Sequence, residues 1–347
     1  MSLNVEVTAK SNQRKIRQRF LAFFLIGIML FSLSACTYKT GKDTNGQVSN
    51  GSSNTAVTTA KPNTSNASET TIIEIANDEP IVYTEQIFGE LLEAELQKEN
   101  ITQKDLDKYT QIMIGGDHFI SLAGPEIPEK DLALFFGTDV ELDGVRYKGF
   151  GTMKSLEDLK YFRNLEQLTV TLQPELDYTT IPSEILSRLK LISISQSKLK
   201  DISFLRGATS LISLRLSFGE VEDLSPLSEC TNLMYLSGSE NPIKDLSPIK
   251  NLTKLKSISL PDGQISDLTP LAGLINLESV GFNNNQIVDL SPLINLTLLE
   301  EVALIDNQVK DVSPLKDLPN LEKVRLKGNP VENIEVLENI ADVQFEP

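Results

Sequence analysis

Seven leucines fix what this chain can fold into. Leu189, Leu211, Leu233, Leu255, Leu277, Leu299 and Leu321 stand 22 residues apart without a slip. Each opens the same phrase. Three residues on comes Ile192, Leu214, Leu236, Ile258, Val280, Val302 or Val324. Two further on, in most copies, stands another large apolar residue: Ile194, Leu216, Leu260, Phe282, Leu304 or Leu326. Asn, Gly or Ser follows, then an aliphatic, an Asp, an aliphatic, and Ser-Pro-Leu or a near copy. A fixed period of roughly 20–50 residues marks an array of stacked units, none of which buries its apolar face alone.

The head of the phrase alternates apolar and polar residues, the pattern of a half-buried strand. The chain must then turn back within 22 residues, too few for a strand and a long helix. Ser225-Pro226, Ser247-Pro248, Thr269-Pro270, Ser291-Pro292 and Ser313-Pro314 supply the return. A hydroxyl residue before Pro suits the start of a 3₁₀ turn, because Pro fixes φ and lacks only an N–H that is unpaired there anyway. Stacked copies then make a parallel sheet with strands about 4.8 Å apart and a continuous leucine core. The expected fold is an α/β solenoid of leucine-rich repeats, with a parallel β-sheet on the concave face and short 3₁₀ or helical turns on the convex side. Asn285-Gln286-Ile287-Val288-Asp289-Leu290-Ser291-Pro292-Leu293 and Asn307-Gln308-Val309-Lys310-Asp311-Val312-Ser313-Pro314-Leu315 resemble the internalin type of this repeat. The resemblance covers about half the chain. It implies a helical N-terminal cap running into a degenerate first repeat. The immunoglobulin-like domain and the C-terminal anchoring tail that such repeats often precede have no counterpart after Phe345. Function does not follow from fold, because one fold hosts many partners.

Residues 1–36 read as an export signal: Arg14, Lys15, Arg17 and Arg19 precede an apolar run from Phe20 to Ser34. That run is short for a spanning helix of about 20 residues. It ends in Leu33-Ser34-Ala35-Cys36, which resembles a lipobox and makes Cys36 the expected lipid anchor. An ordinary cleaved signal and an uncleaved membrane anchor stay open. The lipobox reading implies a palmitoylated lipoprotein on the extracytoplasmic face of a bacterial cell membrane. Residues 37–70, rich in Ser, Thr, Asn and Gly, read as a disordered tether. Residues 71–152 read as the cap and residues 153–347 as the solenoid. In the cap, Phe88, Leu92 and Leu96 form a helical stripe, Thr102-Gln103-Lys104-Asp105 resembles a capping box, and Ile112-Met113-Ile114 reads as a strand. Between Gly115 and Met153 the repeat pattern fails, and Val140 to Tyr147 reads instead as a hairpin around Asp143-Gly144. That insertion is expected to pack against the first repeats, as added capping or as a contact for a partner.

No catalytic residues, cofactor or metal site are expected. The one histidine, His118, stands apart from any Cys or His cluster. Cys230 occupies a position where other repeats carry Leu252, Leu274, Leu296 and Leu318, so it reads as a small buried hydrophobe. Asp201, Asp223, Asp245, Asp267, Asp289 and Asp311 recur at one position of successive repeats and should form a column. Local backbone N–H groups or Ca²⁺ would offset their repulsion. On the outward face the strands place a serine-rich floor: Ser193, Ser195, Ser213, Ser217, Ser237, Ser239, Ser257, Ser259 and Ser279. Its exceptions are Leu191, Arg215, Phe218 and Tyr235, the expected binding patch on three adjacent strands, and a second patch, Lys323, Arg325 and Lys327. The net charge of −16 disfavours nucleic acid. The expected function is protein recognition at the cell surface through the concave face. The alternative is an envelope-associated structural or cell-wall lipoprotein whose serine floor meets a neutral glycan, and an enzyme built on the cap insertion is a third.

Overall fold

The computed structural model describes residues 79–122, 134–136, 139–142 and 145–346. The export signal, Cys36 and the tether lie outside the described residues. The chain divides into two compact units, and all described residues belong to the second, Thr71–Pro347.

Its main feature is an eleven-stranded sheet. Strands β6 (Gln167–Thr171), β7 (Leu191–Ser195), β8 (Ser213–Ser217), β9 (Tyr235–Ser237), β10 (Ser257–Ser259), β11 (Ser279–Gly281), β12 (Glu301–Ala303), β13 (Lys323–Arg325) and β14 (Asp342–Gln344) run parallel in chain order. One strand per repeat is what the period demands, and the register follows it: Ile192, Leu214, Leu236, Ile258, Val280, Val302 and Val324 are successive partners. Beneath them the seven repeat leucines are all buried, in one continuous core that runs from Ile81 to Leu337. Cys230 is fully buried in that core, and burial pushes its thiol up to about 11, so it packs as an apolar group.

Five strands, β8 to β12, return through a short 3₁₀ turn that opens at the hydroxyl residue before Pro, at Ser225, Ser247, Thr269, Ser291 and Ser313. The Asp two residues earlier caps the turn. Oδ1 of Asp201, Asp223, Asp245, Asp267, Asp289 and Asp311 accepts the N–H of Ser203, Ser225, Ser247, Thr269, Ser291 and Ser313 at 2.7–2.9 Å. Asp177 does the same for Thr179 and extends the column into a repeat whose spelling hides it. Local amides are therefore the partners of these carboxylates. Among the described residues, no group of three or more His, Cys, Asp or Glu is placed to hold a metal ion.

The N-terminal end is built differently. Helix α1 (Gln86–Leu96) buries Phe88 and Leu92, and it stops at Gln97, whose φ of 49° ends the helical run. The Asp158 carboxylate, almost fully buried in the first 3₁₀ turn, receives the N–H groups of Thr84 (2.9 Å) and Glu85 (2.8 Å) at the helix start. A charged acceptor at a helix N-terminus meets both the open N–H groups and the dipole. Helix α2 (Gln103–Leu106) follows Thr102, whose N–H and hydroxyl both bond Asp105. Strand β1 (Gln111–Gly115) pairs in parallel with β6, Ile112 to Leu168 and Ile114 to Val170, as a degenerate first repeat should. Strand β2 (Phe119–Ser121) turns back antiparallel on β1 and closes that edge. Sequence reading missed β2, although Gly115-Gly116-Asp117 between apolar runs is a turn signal. The insertion is a separate three-stranded antiparallel sheet of β3 (Leu134–Phe136), β4 (Asp139–Leu142) and β5 (Val145–Lys148). Its β4–β5 hairpin pairs Leu142 with Val145, around the expected Asp-Gly. Phe135 and Phe136 are on β3 and pair with β4.

At the other end Val331 to Ile340 makes the last turn, and Val343 sits on β14, an added parallel strand.

Candidate functional site

Strand register turns the outward residues into rows across the concave face. One row runs Leu191, Ser213, Tyr235, Ser257, Ser279, Glu301, Lys323. The next runs Ser193, Arg215, Ser237, Ser259, Gly281, Ala303, Arg325. Leu191, Arg215 and Tyr235 therefore lie on β7, β8 and β9, with Ser213 between Leu191 and Tyr235 and Arg215 one row over. Phe218 does not belong to a strand, which corrects the sequence reading. Strand β8 ends at Ser217, and Phe218 follows it with φ of 56°. The same left-handed position recurs as Leu172, Gln196, Glu240, Asp262, Asn284 and Asp306, with φ of 51–62°, and as Gly328. There each chain swings out of the sheet, so Phe218 stands at the rim of the concave face.

The swing is held by buried asparagines. Oδ1 of Asn241, Asn285, Asn307 and Asn329 accepts the N–H of Val221, Ile265, Ile287 and Val309 in the preceding repeat at 2.9–3.1 Å. Their Nδ2 groups donate to Leu216, Leu260, Phe282 and Leu304 carbonyls at 2.7–3.1 Å. These contacts close polar groups that water cannot reach. They also set the repeat spacing rigidly under the candidate site.

The two halves of the concave face differ. From β11 onward it is closed: the Arg325 guanidinium bonds Glu301, and Ser279 and Ala303 are buried. Lys327 pairs with Glu346. The second cationic patch is thus largely neutralised within the chain. From β7 to β10 the floor is open, with Ser193, Ser237, Ser257 and Ser259 partly exposed and Arg215 exposed. Strand length changes within the open half. Strands β6 to β8 have five residues, whereas β9 to β13 have three. Gly238 stands where Leu216 and Leu260 stand in the flanking repeats, and a Cβ there would lie 2.0 Å from the Leu216 carbonyl oxygen.

Arg215 is the chemically distinctive group. Its neighbours across the strands are Ser193 and Ser237, and its neighbours along β8 on the same face are Ser213 and Ser217. Protein atoms crowding the concavity pull its guanidinium below its ordinary pKa by desolvation, with no carboxylate contributing. The group nonetheless stays cationic at neutral pH, as Arg does in proteins. Elsewhere a ring nitrogen of His118 lies 3.2 Å from the Gly149 carbonyl in the cap, far in sequence from this surface.

Comparison with known proteins agrees with this architecture. No family model matches the chain, and no curated protein matches it. Among solved structures, an internalin C2 of Listeria monocytogenes is similar over 72% of this chain and 97% of its own, at 29% identity and a TM-score of 0.55. An internalin, inlF, of the same organism is similar over 76% of this chain and 91% of its own, at 24% identity and a TM-score of 0.50. The fold is an internalin-like leucine-rich-repeat solenoid.

Proposed function

We propose that this protein is a recognition module that binds a protein partner on the open half of its concave face, over β7 to β10. The carrying observation is that Leu191, Arg215 and Tyr235 stand on the same face of three adjacent strands, with Phe218 at the rim. Arg and Tyr are the side chains on which interface energy concentrates, and near-neutral contacts such as the serine floor surround them. The internalin-like fold supports the reading, since a solenoid presents its concave sheet as an extended binding surface. The Leu33-Ser34-Ala35-Cys36 motif further supports display from a bacterial membrane through a lipid on Cys36, with residues 37–70 as the spacer.

Two experiments test it. The full-length chain and its Arg215→Ala/Phe218→Ala/Tyr235→Ala variant, each immobilised, are exposed to envelope extract. A protein retained by the parent alone, and rebinding after purification, is the expected result. Equal retention by both removes the concave face from the reading. Cells grown with labelled palmitate should label the parent and not Cys36→Ser, and label on both would exclude the anchor.

A further inference from the structure

Several cations of this solenoid are answered from within. Lys190 bonds Glu166, Lys256 bonds Glu278, Lys310 bonds Glu332, Arg325 bonds Glu301 and Lys327 bonds Glu346, each from one repeat to its neighbour or the terminal strand. Arg215 is outside this set and stands in mid-sheet, between Ser193 and Ser237. The register positions around it hold Leu191, Ser193, Ser195, Ser213, Ser217, Tyr235 and Ser237, with no carboxylate among them. Among the described residues no side chain forms an ion pair with it.

We propose that Arg215 receives an Asp or Glu side chain of the protein partner, as the residue that sets which partner binds. The inference rests on the protein-recognition reading above and adds the chemistry of the contact. A partner that covers Arg215 strips its remaining water. An apolar covering would then leave a cation buried and unpaired, which is costly. A carboxylate removes that cost and matches the guanidinium fork with two parallel hydrogen bonds. The surrounding serine hydroxyls donate to the carboxylate's remaining lone pairs, because a hydroxyl turns to suit its partner. The net charge of −16 adds selectivity. Acidic partners are repelled over most of the surface, so an acid on the partner is favoured where it meets Arg215.

The test uses a library of 12-residue random peptides displayed on phage and selected on the full-length chain. Enriched peptides should share one Asp or Glu. Synthetic copies should lose at least about tenfold in affinity for Arg215→Ala, the size of one charge-assisted hydrogen bond. Arg215→Lys should recover part of it, having the charge without the fork. Arg215→Glu should reject the copies and bind versions in which the acid is replaced by Lys, a reversal that a structural role of Arg215 does not give. Copies that bind Arg215→Ala as well as the parent, yet lose affinity for Leu191→Ser/Tyr235→Ala, overturn the assignment of Arg215 while leaving the concave face as the binding surface. Enriched peptides indifferent to all of these variants overturn the protein-recognition reading and this inference with it.

Discussion

Asn307 shows how a single side chain carries the spacing of the repeat. It is 6% exposed and makes four hydrogen bonds: it accepts from Ile287 N–H at 3.0 Å and donates to Phe282, Leu304 and Ile305 carbonyls. Its removal leaves buried backbone groups without partners. We expect Asn307→Ala to cost about 2–3 kcal/mol, read as a shift of the urea midpoint at unchanged slope. A loss within about 0.5 kcal/mol, the range of ordinary surface substitutions, would mean that water replaces the amide. The asparagine position was legible in the repeat, because the letter recurs. The left-handed position before it was not. Asp262, Asn284, Asp306 and Gly328 are types that tolerate that φ, but Leu172, Gln196, Phe218 and Glu240 are not, so no one letter marks it. An L-residue there costs roughly 1–2 kcal/mol, and the surrounding hydrogen bonds, not residue identity, must impose it. Phe218 was misassigned to a strand for this reason: period-two reading runs on past Ser217, where the backbone has already left the sheet.

The 3₁₀ turns make the corresponding argument for an element. Hydrogen bonds from the residue two on hold the carboxylates of Asp177, Asp223, Asp245, Asp267 and Asp311 below the usual Asp range. For Asp177, Asp245, Asp267 and Asp311 the hydroxyl of Thr179, Ser247, Thr269 or Ser313 contributes most, and for Asp223 the Ser225 amide does. A folded-state pKa below the unfolded one stabilises above the unfolded value, about 3.9, and that contribution is lost as pH falls through the folded value. The Tm of the parent should therefore drop steeply below about pH 4. In Asp223→Asn/Asp245→Asn/Asp267→Asn the amide oxygen still caps the turn and does not titrate. Scanning calorimetry should show the parent more stable at pH 6, with the gap closing towards pH 3. A gap independent of pH would show that the column is held by geometry and not by charge. Sequence periodicity exposed six members of this column. It missed Asp177, because the repeat opening at Leu165 runs 24 residues and displaces the match. The closed half of the concave face was partly legible. Lys323, Arg325 and Lys327 read as a patch beside Glu301 and Asp306; the fold pairs Arg325 with Glu301 and brings Glu346, which the letters did not point to, against Lys327.

For the molecule as a whole the 22-residue period is a physical unit as well as a pattern in the letters. Each repeat contacts its neighbours through one strand and one turn, and four of them through a buried asparagine as well, so stability should be a sum over repeats and interfaces. Excising residues 277–298, one whole period, keeps the phrase in step: Asn276 then precedes Leu299, Ile258 stacks on Val302, and Leu260 stacks on Leu304. The shortened protein should keep a cooperative unfolding transition at a lower midpoint, with less surface exposed on unfolding and so a smaller slope. Excising 21 residues, 277–297, instead puts Leu298 where Leu299 belongs and every later residue one place late. That shift turns the inward row of β12 to the concave side, since one residue reverses the faces of a strand. This variant should lose the transition. The excised repeat lies beyond β7 to β10, so the 22-residue excision should bind peptides selected on the parent with unchanged affinity. Loss of that binding despite a cooperative fold would mean that the closed half of the concave face belongs to the site. It would move the Glu301–Arg325 bridge from a cover over the floor to a wall of the binding surface.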